Sequence, residues 1–123
     1  HIFSDESALK SLNELLHPKV FDAFNLWKNT QKSCFVIKEA AILFESGAYK
    51  ACDYILNISC NEEKRIQRVI NRDGRTESEI KSIIDSQWSD RKREENSDFS
   101  INNESDKLIP QVISVFEKLS NNI

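Results

Sequence analysis

Three short apolar stretches, set between helical patterns, constrain this chain more than anything else in it. CFVIKEAAILF (34–44) opens as a continuous apolar run, DYILNIS (53–59) is a second, and DFSIN (98–102) is a weaker third. Runs of this length suit strands covered on both faces. Helical segments separate them. Asn61 is placed to cap EEKRIQRVINR, with Glu62 and Glu63 in a first turn that favours negative charge. Thr76 and Glu79 spell a capping box for a helix carrying Ile80, Ile83, Ile84 and Trp88 inward. A last helix holds Leu108, Val112, Val115, Phe116 and Leu119, with Pro110 kinking it or marking its beginning. Strands alternating with helices predict an α/β fold with parallel pairings.

Ahead of these runs, LKSLNELL (9–16) sets Leu9, Leu12, Leu15 and Leu16 on one helical face, and His17-Pro18 reads as its stop. VFDAFNLW then resumes the rhythm with Val20, Phe21, Phe24 and Trp27. A length of 123 residues suits one modest domain. The chain begins at His1 where a Met is usual, which fits a fragment or a processed chain. Cys34, Cys52 and Cys60 are odd in number and lack metal-binding spacing, so they read as buried thiols in a reducing cytosol. No signal peptide and no run of eighteen apolar residues occurs, which predicts a soluble intracellular protein. With 30% charged residues and a net charge of −3, a general nucleic-acid or membrane-surface binder is not expected.

Any anion site must therefore be local. RIQRVINRDGR (65–75) places Arg65, Arg68 and Arg72 at intervals of three and four, along one edge of a helix. They border the apolar stripe of Ile66, Val69 and Ile70, and Arg75 follows the RDG break. One reading is a solvated face partnered by Glu62, Glu63 and Asp73. The other is a phosphate clamp, because guanidinium groups fork bidentately onto phosphate oxygens. Position favours the clamp, since this helix follows a strand at the end of a parallel sheet where ligands bind.

Three further features stand open at this point. His17 is the single internal histidine, suited to a cap or turn and too few for a metal site alone. Glu45 in ILFESG could meet a ribose hydroxyl, a metal-bound water or an arginine, or serve as a plain helix-start charge. Asn102 and Asn103 close the last strand, as turn formers or as amides reading a purine edge. Neither GxxxxGK nor GxGxxG occurs in a sequence with two glycines.

The order of these motifs is more specific than any one of them. IFSD, LNELLHP, ILFE, ILNI, RIQRVINRDGRTE and SDFSINN follow one another as in the dephospho-coenzyme A kinases, which the chain closely resembles from Ile2 to about Leu119. The resemblance implies a partial P-loop kinase-like α/β fold with parallel strands, a helical CoA-binding insertion and a helical lid. The N-terminal strands and P-loop of that fold have no counterpart in the sequence. It divides the chain into a helical CoA-binding part (1–33), core strands (34–60), lid helices (61–97) and a last core strand with the C-terminal helix (98–123).

Enzymes of this family phosphorylate the ribose 3′-hydroxyl of dephospho-CoA with Mg-ATP, the last step of coenzyme A synthesis. By likeness, His17 and Glu45 bind the acceptor substrate. Arg68, and next Arg72, bind the ATP phosphates and stabilise the transferring group, while Asn103 lines the adenine. No residue is implied as a metal ligand, and Mg²⁺ arrives with ATP. Ala41 stands where the family has proline, and Asn102 and Ser105 where it has Asp and Gly. The expected partners are ATP and dephospho-CoA, with no nucleic acid or membrane, in a cytoplasmic setting. Without the P-loop and the base-bearing motif after it, this portion alone is expected to be inactive. Its strand edges, built for burial, invite self-association. The alternatives are another P-loop nucleoside or nucleotide kinase, and a non-catalytic α/β interaction module.

Overall fold

The computed structural model describes residues 6–104 and 107–121, apart from the side chains of Glu6 and Leu9. The motif at residues 2–5 and the replacement at Ser105 lie outside the described residues. The chain divides into two units, His1–Ala41 and Ile42–Ile123.

In the first unit one helix, α1, spans Glu6–Asn29 and runs through Pro18. The expected stop at His17-Pro18 is not there. Pro18 removes one donor from the ladder, the bond to the carbonyl four residues back. The apolar rhythm is helical on both sides of it, so the remaining bonds carry the helix on. In its last turn the Trp27 carbonyl accepts from Thr30 Oγ1 at 2.7 Å and Gln31 Nε2 at 3.0 Å. Phe24 packs on Trp27 at 5.6 Å, and Lys38 lies 4.8 Å from the Phe24 ring centre. Leu15, Leu16, Val20 and Leu26 stay exposed.

The expected strand over 34–44 does not form. Residues 35–40 carry no ladder, 41–47 turn, and a 3₁₀ helix follows at Ala48–Ala51. An apolar run becomes a strand only when a neighbour satisfies its backbone groups, and no strand pairs with this one among the described residues.

The second unit holds the sheet. β1 (Leu56–Ser59) and β2 (Phe99–Asn102) pair in parallel, from Leu56 opposite Phe99 to Ser59 opposite Asn102. A parallel pair needs a long crossover. Here α2 (Glu62–Asp73), α3 (Glu77–Asp85) and α4 (Asp90–Glu95) provide it. α5 (Leu108–Ser120) then packs on β2. At one end of the sheet Ile55 N–H donates to Asp98 Oδ2 at 2.7 Å, and at the other Asn103 N–H donates to the Ser59 carbonyl at 2.8 Å.

Local signals specified the helix ends. Asn61 Oδ1 accepts from Lys64 N–H at 3.3 Å, and the Thr76–Glu79 capping box is complete. Gly74 closes α2 at φ 66°, its N–H donating to the Ile70 carbonyl at 2.9 Å. That left-handed conformation costs an L-residue about 1–2 kcal/mol, so the RDG break works as a C-cap. Pro110 sits in the first turn of α5, where its missing N–H has no partner to lose.

Phe44, Ile66, Ile80 and Ile101 are buried. Ile83 was expected inward but is exposed, and Trp88 lies beyond the end of α3. Val112 and Phe116 are exposed on α5 as well. The reason is Gln111. Its side-chain amide accepts from Asn102 N–H and donates to the Asn102 carbonyl, both at 2.9 Å, so the helix turns Gln111 to the strand and Val112 away. The three cysteines are free thiols, but none is buried: Cys34 is exposed, and Cys52 and Cys60 are half-buried.

Candidate functional site

The carboxyl ends of β1 and β2 lie side by side, and the residues leaving them are Cys60, Asn61, Asn103 and Glu104. Parallel strands of equal register bring these two exits together, and α2 starts directly from the first of them. Three ties lash α2 to the second exit. Asn61 N–H donates to Glu104 Oε1 at 2.9 Å. Lys64 Nζ donates to the Glu104 carbonyl, and Arg68 Nη1 donates to the Asn103 carbonyl at 2.9 Å. The same Arg68 nitrogen also reaches Cys60 Sγ at 3.5 Å. The loop keeps its own shape through Asn102 Oδ1, which accepts from Glu104 N–H at 2.9 Å.

The arginines of α2, alike in sequence, have three different situations. Arg65 turns toward α4, donating to Asp90 Oδ1 at 3.1 Å. Arg68 sits at the strand exits. Arg72 is mostly solvent-exposed and forks onto Asp73, Nε to Oδ1 at 2.7 Å and Nη2 to Oδ2 at 2.9 Å. That hydrogen bond holds the Asp73 carboxyl below its ordinary range, with the charges of Arg72 and Arg75 adding to the effect. It also raises Arg72 above the usual guanidinium value. Arg72 thus has one of the partners that the solvated-face reading names, Asp73. For Arg65 the acid is Asp90, twenty-five residues away.

Glu45 is exposed, and its Oε1 accepts from the backbone N–H of Trp88 at 2.5 Å. The residue before it, Phe44, stacks on the Trp88 ring at 4.8 Å and 12°, and Lys92 Nζ stands 3.7 Å from the centre of that ring. His17 is an exposed residue within α1, in the other unit. The structure thus brings Arg68 and Asn103 together and gives Arg72 and Glu45 separate partners. The depression along α3 lined by Glu77, Ser78, Lys81, Ser82 and Asp85 involves none of them.

Lys64, Glu104 and Asp90 were not singled out from the sequence. Lys64 and Glu104 each lie within four residues of a motif residue, and that adjacency was the only available signal. No cluster of three or more His, Cys, Asp or Glu able to hold a metal ion occurs among the described residues. No described helix is long and apolar enough to cross a membrane.

Parallel strands joined through helices, with Arg68 at the strand exits, define an α/β fold. A sequence model of the dephospho-CoA kinase family matches residues 1–108. The chain belongs to that family. It is 36% identical over 126 aligned positions to the dephospho-CoA kinase of Chlorobaculum tepidum, covering 96% of this chain and 59% of that protein. It is 33% identical over 118 positions to the dephospho-CoA kinase of Bacteroides fragilis, covering 94% and 57%. The chain thus spans somewhat over half the length of these relatives. TT1252 from Thermus thermophilus, a crystal structure, superposes with a TM-score of 0.87 at 21% identity, over 95% of this chain and 62% of that one. At that identity the likeness speaks for the fold alone.

Proposed function

We propose that this chain is the C-terminal portion of a cytoplasmic dephospho-CoA kinase, which transfers the γ-phosphate of ATP to the 3′-hydroxyl of dephospho-CoA. The observation that carries the reading is the seat of Arg68. In a chain of this family, it holds a permanent cation across the exits of two parallel strands, the end of such a sheet where ligands bind. Phosphoryl transfer spreads charge over the transferring oxygens, and a fixed guanidinium beside them lowers the barrier. Asn103, whose carbonyl already holds Arg68, lines the adenine in this reading. Nucleotide and arginine then share one loop.

Arg72 is the second phosphate arginine. Its present partner, Asp73, is an exposed carboxylate, and exposed ion pairs contribute little. Exchanging Asp73 for a phosphate oxygen is therefore a small change. Glu45 and His17 serve the acceptor. Mg²⁺ supplies neutralisation of the phosphate charge when it enters with ATP. No carboxylate cluster of the described residues fits it as a resident ion, so no residue here is assigned to it.

The phosphate cradle is not encoded in these residues, which contain no GxxxxGK[ST], so the portion by itself is inactive in this reading. Each strand has one edge without a strand neighbour among the described residues, which leaves room for self-association. The decisive experiment is a coupled assay of dephospho-CoA phosphorylation by a family-length chain containing these residues. ATP-dependent formation of CoA is expected, and its absence in a folded, family-length protein would overturn the proposal.

A further inference from the structure

Asp90 collects two arginines on a single carboxylate oxygen. Arg65 Nη1 of α2 donates to Asp90 Oδ1 at 3.1 Å, and Arg93 Nη2 of α4 donates to the same oxygen. Arg93 Nη1 also reaches Gln87 Oε1 at 3.4 Å, so the segment entering α4 is held at both sides. Arg65 and Arg93 are among the more sheltered cations, with side-chain exposures of 26% and 18%. Arg65 Nε is buried with no hydrogen-bond partner. Burying that nitrogen is unfavourable. What keeps the side chain inside is therefore the carboxylate at its tip.

The consequence lies one turn along α2. Arg65 and Arg68 are three residues apart on the same edge of one helix. Arg65 is tied to α4 through Asp90, and Arg68 to the loop after β2 through the Asn103 carbonyl. Two ties on one edge, to two different elements, fix the rotation of α2 about its own axis. Cutting the Asp90 tie leaves that rotation to the ties at the second strand exit, where Arg68 holds the Asn103 carbonyl and Asn61 and Lys64 hold Glu104. It also releases a second guanidinium beside the first.

We infer that Asp90 is a positioning residue, which sets the angle of α2 through Arg65 and thereby holds Arg68 at the strand exits. The inference rests on the kinase reading above and adds a group that touches neither substrate. Its effect must pass through Arg68, and that gives it a signature. In a family-length chain containing these residues, Asp90→Asn should lower kcat about a hundredfold, the scale of a displaced charge-stabilising contact. The KM for dephospho-CoA should stay within about twofold of wild type, because the acceptor side is not involved. Asp90→Glu, which keeps the charge, should regain most of the loss.

The test is the double variant. With Arg68→Ala already in place, adding Asp90→Asn should cost nothing further in kcat, since residues acting in series are not additive. Additive losses, or wild-type turnover in Asp90→Asn, would overturn the inference while leaving the kinase reading intact. If Arg68→Ala itself keeps full turnover, the fault lies with the kinase reading of α2. Should Asp90→Asn not fold, Arg65→Gln removes the same charged tie from the α2 side. The same drop in kcat with an unchanged acceptor KM is then expected, and unchanged kcat would count against Asp90.

Discussion

Arg68 on α2 donates to the backbone carbonyl of Asn103, thirty-five residues later, at 2.9 Å. One guanidinium thereby spans the exits of both strands. A carbonyl is a neutral acceptor, and a phosphate is a charged one that accepts bidentately and more strongly. Arg68 is held in place, yet it can exchange this partner for a nucleotide without leaving a buried charge behind, because it is exposed.

From this comes the first prediction. In a family-length chain, Arg68→Ala should reduce turnover more than Arg72→Ala. Arg68 stands at the strand exits, whereas Arg72 lies one turn further along α2 and is occupied by Asp73. Losing one charge-stabilising contact costs about a hundredfold to a thousandfold. Steady-state kinetics of the two variants side by side will show the order, and turnover within about twofold of wild type for Arg68→Ala would return the cluster to a solvated face.

In a family-length chain, His17→Ala should weaken the use of dephospho-CoA and leave the affinity for ATP nearly unchanged. His17 is exposed on α1, in a different unit from Arg68. Titrating each substrate separately separates the two effects. Equal losses for both would mean that His17 acts through folding.

The third prediction concerns acid. Glu79 accepts from the Thr76 backbone N–H at 2.9 Å and from its hydroxyl at 2.8 Å, and these bonds hold its carboxyl below the ordinary value. A carboxyl lowered on folding contributes stability above its unfolded pKa of about 4.3, and loses it as pH falls through the folded value. The start of α3 should therefore fray only below about pH 4.3. Backbone chemical shifts at 77–80 followed by NMR against pH would report it. Thr76→Ala should remove the cap at every pH, destabilising the helix by about 1 kcal/mol. Fraying that begins near neutral pH would contradict this account.

These caps were legible in the sequence because they are local. Asn61, Thr76 and Glu79 find their partners three residues away, and a short pattern contains all the information needed. Parallel pairing was legible too, since alternation of strand and helix leaves few other solutions. What distance decides was not legible. The run at 34–44 has the composition of a buried strand, but a strand depends on its neighbour. Gln111 reads as an ordinary polar helix residue until Asn102 is beside it. Of the candidate site, Arg68 and Asn103 were named from the resemblance, but the bond between them was not. The partner of Arg65 lay beyond any motif, twenty-five residues away.

The last prediction concerns these 123 residues taken alone, which should neither convert dephospho-CoA to CoA nor bind ATP saturably at micromolar concentration. A kinase of this class cradles the β and γ phosphates with successive backbone N–H groups and a lysine. The two glycines present have other duties. Gly47, at φ 74°, leads into the 3₁₀ helix, and Gly74 caps α2. Neither belongs to a phosphate loop. Without a cradle, ATP would meet Arg68 and Arg72 as exposed cations, and attraction between exposed charges is screened within about 8–10 Å at ordinary ionic strength. Weak binding that vanishes with added salt is expected in calorimetry, together with no turnover in the coupled assay. Supplying a segment with the GxxxxGK[ST] loop, by fusion or co-expression, should bring back both binding and turnover. Kinase activity in the 123 residues by themselves would overturn the assignment, because the phosphates would then have to be held by groups other than a P-loop.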